Sequence, residues 1–375
     1  MIYLDNAATT SVHPEVVREI AAQLEEHFGN PSSLYSMGIE SRRIMDRARG
    51  QIAKAMGCDS SEVYFTSCGT ESNNLAILGA ARARKNWGNR IVVSGFEHPS
   101  VQNTVNSLKT EGFEVVVVMP EKDGTIDMAK FLAEVDRNTV LATCMRVNNE
   151  VGTLIDTPLL AAKVKAINKR TAFHCDGVQS FLKHPTALKG NIDTFSVSAH
   201  KVHGPKGIGA LYIRKGFNLN TAQFGGGQEK GIRSGTENVP YIAGFAKAVE
   251  MMRTEPSGIE EINALKEELW EGIRDLPGIV LNSPVNSTPY ILNISMCGLR
   301  SETVLHFLEG KGIMVSSGSA CGHGERSHTL EAMGLDDDRV DGAVRFSFNG
   351  FTSRDEIRQT VQAVREAAST LERKS

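Results

Sequence analysis

The sequence predicts an α/β protein: a mostly parallel sheet covered on both faces by helices, followed by a smaller α+β domain. Three observations predict it. Through the first two thirds of the chain, apolar periodicity alternates between helical and strand spacing, the pattern of a sheet wound with crossover helices. After about Pro256 the pattern changes to two helical stretches flanking short strands. At 375 residues the chain is also long for one core, which fits two domains.

Taken in order, a helix opens at Pro14, where the missing N–H of proline removes nothing, and runs to about Phe28. A second covers Ile39 to Met56. A short strand at Val63 to Thr66 leads into CGTESNN and a helix from Ser72 to Lys85. Next come a strand at Arg90 to Ser94, a helix at Ser100 to Glu111 and a strand at Glu114 to Met119. The apolar run from Val115 to Met119 reads as a buried strand. The alternation continues with a strand at Val140 to Cys144, a helix near Pro158 to Asn168 and a strand at Ala172 to Cys175. Beyond Pro256, helices at Ile259 to Arg274 and Ser353 to Leu371 flank strands such as Ile279 to Leu281 and Tyr290 to Ile294.

Bulk composition excludes several roles. A net charge of −3, with 23% charged residues, gives no electrostatic reason to expect nucleic acid or an anionic membrane as main partner. The first residues, MIYLDNAATT, lack the basic and apolar regions of a signal peptide, and no run approaches the ~20 apolar residues that span a bilayer. A cytoplasmic location is the expectation. Six cysteines are scattered without a C-x-x-C pair, so a disulfide framework is not expected. Most sit among apolar neighbours and read as buried thiols. Cys321 differs, because it lies in a Gly/Ser-rich segment.

Five motifs carry candidate chemistry. In SVSAHKVHGPKG, Lys201 stands just beyond a strand with Ser198 and His200 before it. A Schiff-base lysine needs such a perch with phosphate donors nearby, although an ordinary loop lysine fits the same pattern. TSCGTESNN places Gly69 and Thr70 at a strand-to-helix junction, where N–H groups bind phosphate or simply open a helix. HCDGVQS puts Asp176 at a strand end with Gln179 one turn on. A carboxylate there suits a pyridinium nitrogen, or caps a turn. EHPS places His98 after a strand end, where its ring could stack on a flat group or merely enter a helix. SSGSACGHGERSH offers Cys321 as an exposed nucleophile. Cys321, His323 and His328 could also ligate zinc, though so glycine-rich a segment makes a poor cage. A further glycine-rich stretch, GGGQEKGIRSGTENV, matches neither the P-loop nor the dinucleotide fingerprint.

In this order the motifs resemble the cysteine desulfurases of the NifS/IscS type, class-V relatives of the aminotransferases. The resemblance covers essentially the whole chain. It runs from YLDNAATT and GNPSS through TSCGTESNN, VNNEVG, SAHKVHGPKG and RSGTENV to SSGSAC and VRFSF. It implies the type I pyridoxal-phosphate fold, with a seven-stranded, mostly parallel sheet in a large domain of residues 15–256. Residues 1–14 and 257–375 would form the small domain. It implies that Lys201 bonds to pyridoxal 5′-phosphate and moves the substrate Cα proton. His98 stacks on the ring and aids proton transfer. Asp176 pairs with the ring nitrogen, while Asn149 and Gln179 bond around the ring oxygen. Gly69, Thr70, Ser198 and His200 bind the phosphate. Thr236 reaches the phosphate of a neighbouring subunit, which implies a homodimer. Arg345 clamps the substrate carboxylate. Cys321 takes sulfur from L-cysteine as a persulfide, releasing alanine, and passes it to an acceptor protein in iron–sulfur cluster assembly or thiolation. No metal takes part.

Several positions depart from the family pattern. Cys68 and Gly69 stand where TSGATE is usual, Tyr35 where histidine is common, and Gly177 where alanine is usual. Ile155 replaces a frequent glutamine. FSFNGFT replaces FSLGRYT, which leaves Gly350 in place of an arginine. An aminotransferase or a selenocysteine lyase on the same fold are the rival enzymes, and a cofactor-binding scaffold is the rival non-enzyme. Transamination has no use for Cys321.

Overall fold

The computed structural model describes residues 1–375 apart from 187, 189, 255–257, 318–325 and 373–375. β1 (Ile2–Tyr3) is followed by an irregular strap, then α1 (Pro14–Glu26) and α2 (Ser36–Met56). The alternating region comprises β2 (Val63–Thr66), α3 (Gly69–Ala83), β3 (Arg90–Ser94), α4 (Pro99–Leu108), β4 (Glu114–Val118), α5 (Met128–Ala133), β5 (Thr139–Thr143), α6 (Thr157–Ile167), β6 (Ala172–Asp176), β7 (Thr194–Ser198), β8 (Gly209–Ile213) and α7 (Val239–Thr254). The remainder comprises α8 (Ile259–Ile273), β9 (Ile279–Leu281), β10 (Ile291–Met296), α9 (Ser301–Gly310), β11 (Ile313–Met314), β12 (Ser316–Ser317), α10 (His328–Ala332), α11 (Asp337–Asp341), β13 (Ala343–Ser347) and α12 (Arg354–Thr370).

Local chemistry sets the boundaries. His13 caps α1 through Nδ1, with Pro14 at the first helical position. Gly57, in the left-handed region at φ 71°, ends α2. Ser353 and Glu356 form a reciprocal capping box at the start of α12.

The large sheet has the order β2-β8-β7-β6-β5-β3-β4. Neighbours from β4 across to β7 are parallel, and β8 is antiparallel to both β7 and β2, so β8 alone runs backwards. The central strands β5 to β8 are buried along their whole length, as expected where helices cover both faces. The run from Val115 to Met119 departs from expectation. It forms the edge strand, so Val117 and Met119 are exposed instead of buried. An edge strand lacks a neighbour on one side, and the apolar run alone does not say where in the sheet a strand lies. The cysteines also differ from expectation: Cys144 and Cys175 are buried, while Cys58, Cys68 and Cys297 are half-buried.

A second, antiparallel sheet has the order β12-β13-β10-β9. Its core draws in the chain's first residues: Ile2 and Leu4 pack with Ile262, Ile294 and Phe346. β1 pairs in parallel with β11, and Asp5 bridges Ser347 of β13. The strap after β1 is thus sewn to the small sheet before it crosses to the large one, where the Thr10 N–H donates to the His200 carbonyl. The carboxyl ends of β3, β5, β6 and β7 open on this strap. In an open α/β sheet that is the edge where ligands bind.

Candidate active site

A cavity of ≈ 440 Å³ lies between the carboxyl ends of these strands, the strap and β13. It gathers Gly69, Thr70, His98, Asn149, Asp176, Gln179, Ser198, His200, Lys201 and Arg345, which the sequence places far apart. Thr236 is elsewhere, in a separate concavity beside Phe65 and Thr66. Cys321 and His323 lie outside the described residues. His328 lines the cavity. Among the described residues no group of acids, histidines and cysteines is arranged to hold a metal.

One end of the cavity is built for an anion. α3 begins at Gly69, and its N-cap Cys68 supplies no side-chain hydrogen bond, so the first N–H groups of the helix are left for a ligand. Ser198 Oγ is buried without a partner among the described residues. A Cβ on Gly69 would meet Val178 Cγ2 at 2.7 Å, so the backbone there must stay bare. The His200 ring is held at Nδ1, 3.2 Å from Thr9 Oγ1, and burial pushes its pKa down to about 4. It is a neutral donor or acceptor at this end.

Asp176, the last residue of β6, carries the cavity's carboxylate. Its Oδ1 accepts from the Val178 N–H at 2.9 Å and its Oδ2 from Asn73 Nδ2 at 2.7 Å. Asn73 is in turn oriented by His174, whose Nε2 lies 3.0 Å from Asn73 Oδ1. Burial pushes the His174 pKa down to about 3, so the imidazole is neutral. With Nε2–H donating to Asn73, Nδ1 accepts from Thr194 Oγ1 at 2.9 Å. The chain Thr194–His174–Asn73–Asp176 fixes the carboxylate without adding charge. The motif TESNN contains Asn73, but nothing in it marks Asn73 as partner of an aspartate 103 positions away.

His98 caps α4. Its Nδ1 accepts from the Ser100 N–H at 3.1 Å and lies 2.8 Å from Ser100 Oγ, which leaves Nε2 to carry the proton. The ring opens on the cavity, and the protein on its other sides holds its pKa below the usual value through desolvation. Beside it Glu97 is buried. Its Oε1 accepts from the Met145 N–H at 2.6 Å and from Ser94, while Oε2 has no partner among the described residues. Burial pushes the Glu97 pKa up to about 8, so it is protonated at neutral pH.

Lys201 Nζ donates to the carbonyls of Ala7 and Ala8 at 2.6 and 2.7 Å, both on the strap. Burial first, and then Arg345 and Lys183, push its pKa down to about 7. A large fraction of the amine is therefore free base near neutrality, the form that attacks an aldehyde. Gln179 Nε2 donates to the same Ala7 carbonyl at 2.8 Å. Arg345 is buried on β13. It donates from Nη2 to Asp5 Oδ1 at 2.7 Å and from Nη1 to the Asn149 carbonyl at 2.8 Å, and Nε has no partner among the described residues. Next to Asn149, the buried Glu150 accepts from Ser327 and from Thr329 Oγ1 at 2.8 Å. Asp5, Asn73, Glu97 and Glu150 were not singled out from sequence; the partners of Asp5, Asn73 and Glu150 come from distant segments.

Two of the departures noted in the sequence have a steric cause. A Cβ on Gly177 would lie 1.8 Å from the Phe195 ring, and Val178 fills the space beside Gly69. The alanines usual at 69 and 177 have no room against these neighbours.

The donor set fits pyridoxal 5′-phosphate. An orphaned buried hydroxyl and free helix N–H groups suit a phosphate, a fixed carboxylate suits a pyridinium, and a partly neutral lysine lies between. A sheet of this topology with such a site defines a fold type I transferase. The aminotransferase class-V family profile matches residues 2–360. The chain belongs to the class-V aminotransferases and stands within them among relatives of the NifS and IscS type. It is 38% identical over 380 residues to the cysteine desulfurase IscS of Pectobacterium carotovorum, covering 99% of this chain and 93% of that protein. A solved NifS-like protein superposes with a TM-score of 0.93 at 37% identity, covering 99% of this chain and all of the other. The solved structure of SspA in complex with cysteine gives a TM-score of 0.82 at 33% identity, covering 94% and 100% of the two chains. No described helix is long and apolar enough to cross a membrane.

Proposed function

We propose that this protein is a pyridoxal-phosphate-dependent cysteine desulfurase that converts L-cysteine to L-alanine and passes the sulfur to an acceptor protein. The observation that carries the reading is the meeting of Lys201, Asp176, His98, Ser198 and Arg345 in one cavity. When bound, the cofactor supplies an electron sink that weakens bonds at the substrate's α and β carbons. The chain supplies everything else. Lys201 attaches the cofactor and then carries a proton on Nζ. Asp176, fixed by Asn73 and Val178, keeps the ring nitrogen protonated. His98 covers the ring face and offers Nε2 for proton transfer. The N-terminus of α3 with Ser198 and His200 holds the phosphate. Gln179 and Asn149 stand at the ring oxygen. Arg345, oriented by Asp5 and the Asn149 carbonyl, binds the substrate carboxylate.

Cys321 is assigned from the SSGSAC motif. Its thiolate attacks the substrate sulfur, the carbon–sulfur bond breaks, and alanine leaves as Cys321 becomes a persulfide. Six positions carry the chain from Cys321 to Ser327, whose hydroxyl is tied to Glu150. This is shorter than in many members of the family, so the acceptor is expected to dock close to the cavity mouth. Thr236 is assigned to the partner's phosphate in a homodimer, and the setting is read as cytoplasmic. Incubation with pyridoxal phosphate and L-cysteine under a thiol reductant should release alanine and sulfide in equal amounts. Mass spectrometry should find the extra sulfur on Cys321. Extra sulfur on another cysteine, or alanine without sulfide, would overturn the assignment.

A further inference from the structure

A second cavity of ≈ 190 Å³ lies behind Lys201. Lys201 lines both this cavity and the catalytic one, so the two adjoin at this residue. The walls come from three parts of the fold. Lys183 follows the Asp176 turn, Met252 and Ile262 come from α7 and α8, and Asn349 comes from the end of β13. Asn349 Nδ2 donates to Asn6 Oδ1 at 2.7 Å, which ties the strap to the same wall. Gly350 lines the cavity at the position where the family resemblance leads one to expect an arginine.

Lys183 is the feature that calls for a ligand. It is 8% exposed, and its one hydrogen bond among the described residues is a long one, 3.5 Å to Gln179 Oε1. The Tyr290 ring lies 5.6 Å from Nζ. An ammonium has three donors, so at least two are left without a hydrogen-bond acceptor among the described residues. Among the described residues no carboxylate compensates it. Burial, and then the like charge of Arg345, push its pKa down to about 8, which still leaves it mainly charged at neutral pH. A buried charge of this kind is normally paired. The rest of the lining is apolar where Met252, Ile262 and Phe348 contribute, and a bare inorganic anion would make no use of that surface.

We propose that this cavity is a second binding site, distinct from the catalytic one, for a small monocarboxylate with a short apolar tail. Its carboxylate meets Lys183 and its tail lies on Met252 and Ile262. The volume admits an anion of a few carbons and excludes a nucleotide or a peptide. An occupant would also adjoin Lys201, where a negative charge favours the protonated amine. The site would thus take a small acid and set how much of the Lys201 amine is free base. The proposal stands apart from the desulfurase reading, and its test reads binding and not turnover.

The probe is 3,3,3-trifluoropropionate, followed by fluorine NMR on the cofactor-loaded protein. Saturable binding is expected, surviving in Arg345→Gln, weakened at least ~10-fold in Lys183→Met, and weakened several-fold in Ile259→Asp. Lys183→Met exchanges a buried charge for an apolar chain of similar length, so the fold should hold. Ile259 is 40% exposed on the cavity rim at the first position of α8, where an acid suits the helix dipole, so this second variant repels the anion without touching the core. Thermal melts of both variants check that they fold. Absence of saturable binding in the wild type overturns the proposal. Binding lost in Arg345→Gln but unchanged in Lys183→Met also overturns it, because the probe would then occupy the catalytic cavity.

Discussion

The two walls of the catalytic cavity are built in different ways. One is the carboxyl edge of the large sheet, where Asp176, Ser198, His98 and Lys201 each follow a strand end by a few residues at most. Their positions are set by backbone ladders that are buried on both faces, so little can move them. The other wall is the strap from Asp5 to Thr10 with Arg345 and Glu150. It holds its groups through side-chain and carbonyl contacts between segments as far apart as Asp5 and Arg345. Lys201 touches both walls, growing from the sheet edge while its amine rests on the carbonyls of Ala7 and Ala8. In the proposed reaction the sheet wall is the one that holds the phosphate and ring. In the proposed reaction the sewn wall is the one that meets the substrate carboxylate.

If Lys201 joins the two walls, its loss should give the largest effect. Lys201→Ala is expected to reduce alanine formation by more than ~10⁴-fold, above the range for a single acid–base group, because attachment and proton transfer are lost together. The visible band of the linked cofactor and its reducible covalent bond should vanish as well. Normal alanine output from this variant would sink the assignment of the site.

The sewn wall is sharpened by Arg345→Lys. A point charge cannot span Asp5, the Asn149 carbonyl and a substrate carboxylate as a planar fork does. KM for L-cysteine should rise ~10- to 100-fold with kcat changed less. Asp5→Asn should keep the geometry and shift KM far less. Equal effects of the two on kcat alone would mean that Arg345 does not meet the substrate.

The sheet wall predicts a packing effect instead. Gly177→Ala places a methyl group where the Phe195 ring stands, at 1.8 Å before relaxation. Overpacking of this kind costs about 1–3 kcal/mol, to be read from urea unfolding. Phe195→Leu in the same chain should recover part of the loss, and an additive double mutant would show that the ring is not the obstacle.

The same contrast explains what the sequence made legible. Strand-and-helix alternation reveals the large sheet because each unit is local. Eight of the ten cavity residues named from sequence stand in motifs at strand ends, whereas Asn149 and Arg345 were nameable only through the family resemblance. The edge position of Glu114–Val118 was not legible, since strand order is decided by crossovers and not by the strand's own residues. Nor were α5, α7 and α9, which were not picked out from apolar spacing. Asp5, Asn73 and Glu150 escaped for the reason that makes the sewn wall what it is: each acts on a partner more than 100 positions away.

The smallest effect tests the neutral chain behind Asp176. His174 is fully buried, and burial holds its pKa at about 3, below the ordinary 6.5. Its stabilising neutral form is fully present above pH 6.5. As pH falls below 6.5 the unfolded chain takes up a proton that the folded one refuses until about pH 3, so stability is lost across that window. Between pH 7.5 and 5.5 the loss is about 1 kcal/mol. The wild type alone cannot show it, because Glu97 works in the opposite direction. Its pKa is raised to about 8, so the folded state binds a proton that the unfolded state does not, and acidification toward 4.5 stabilises it. The comparison with His174→Gln removes that term, since Glu97 is common to both proteins. Glutamine can still donate to Asn73 Oδ1 but does not titrate. The variant should be less stable than wild type at pH 7.5, and the gap should narrow by about 1 kcal/mol at pH 5.5. A gap that stays constant or widens on acidification would mean that His174 is protonated in the folded protein. Asp176 would then be held by a charged partner and not by a neutral one.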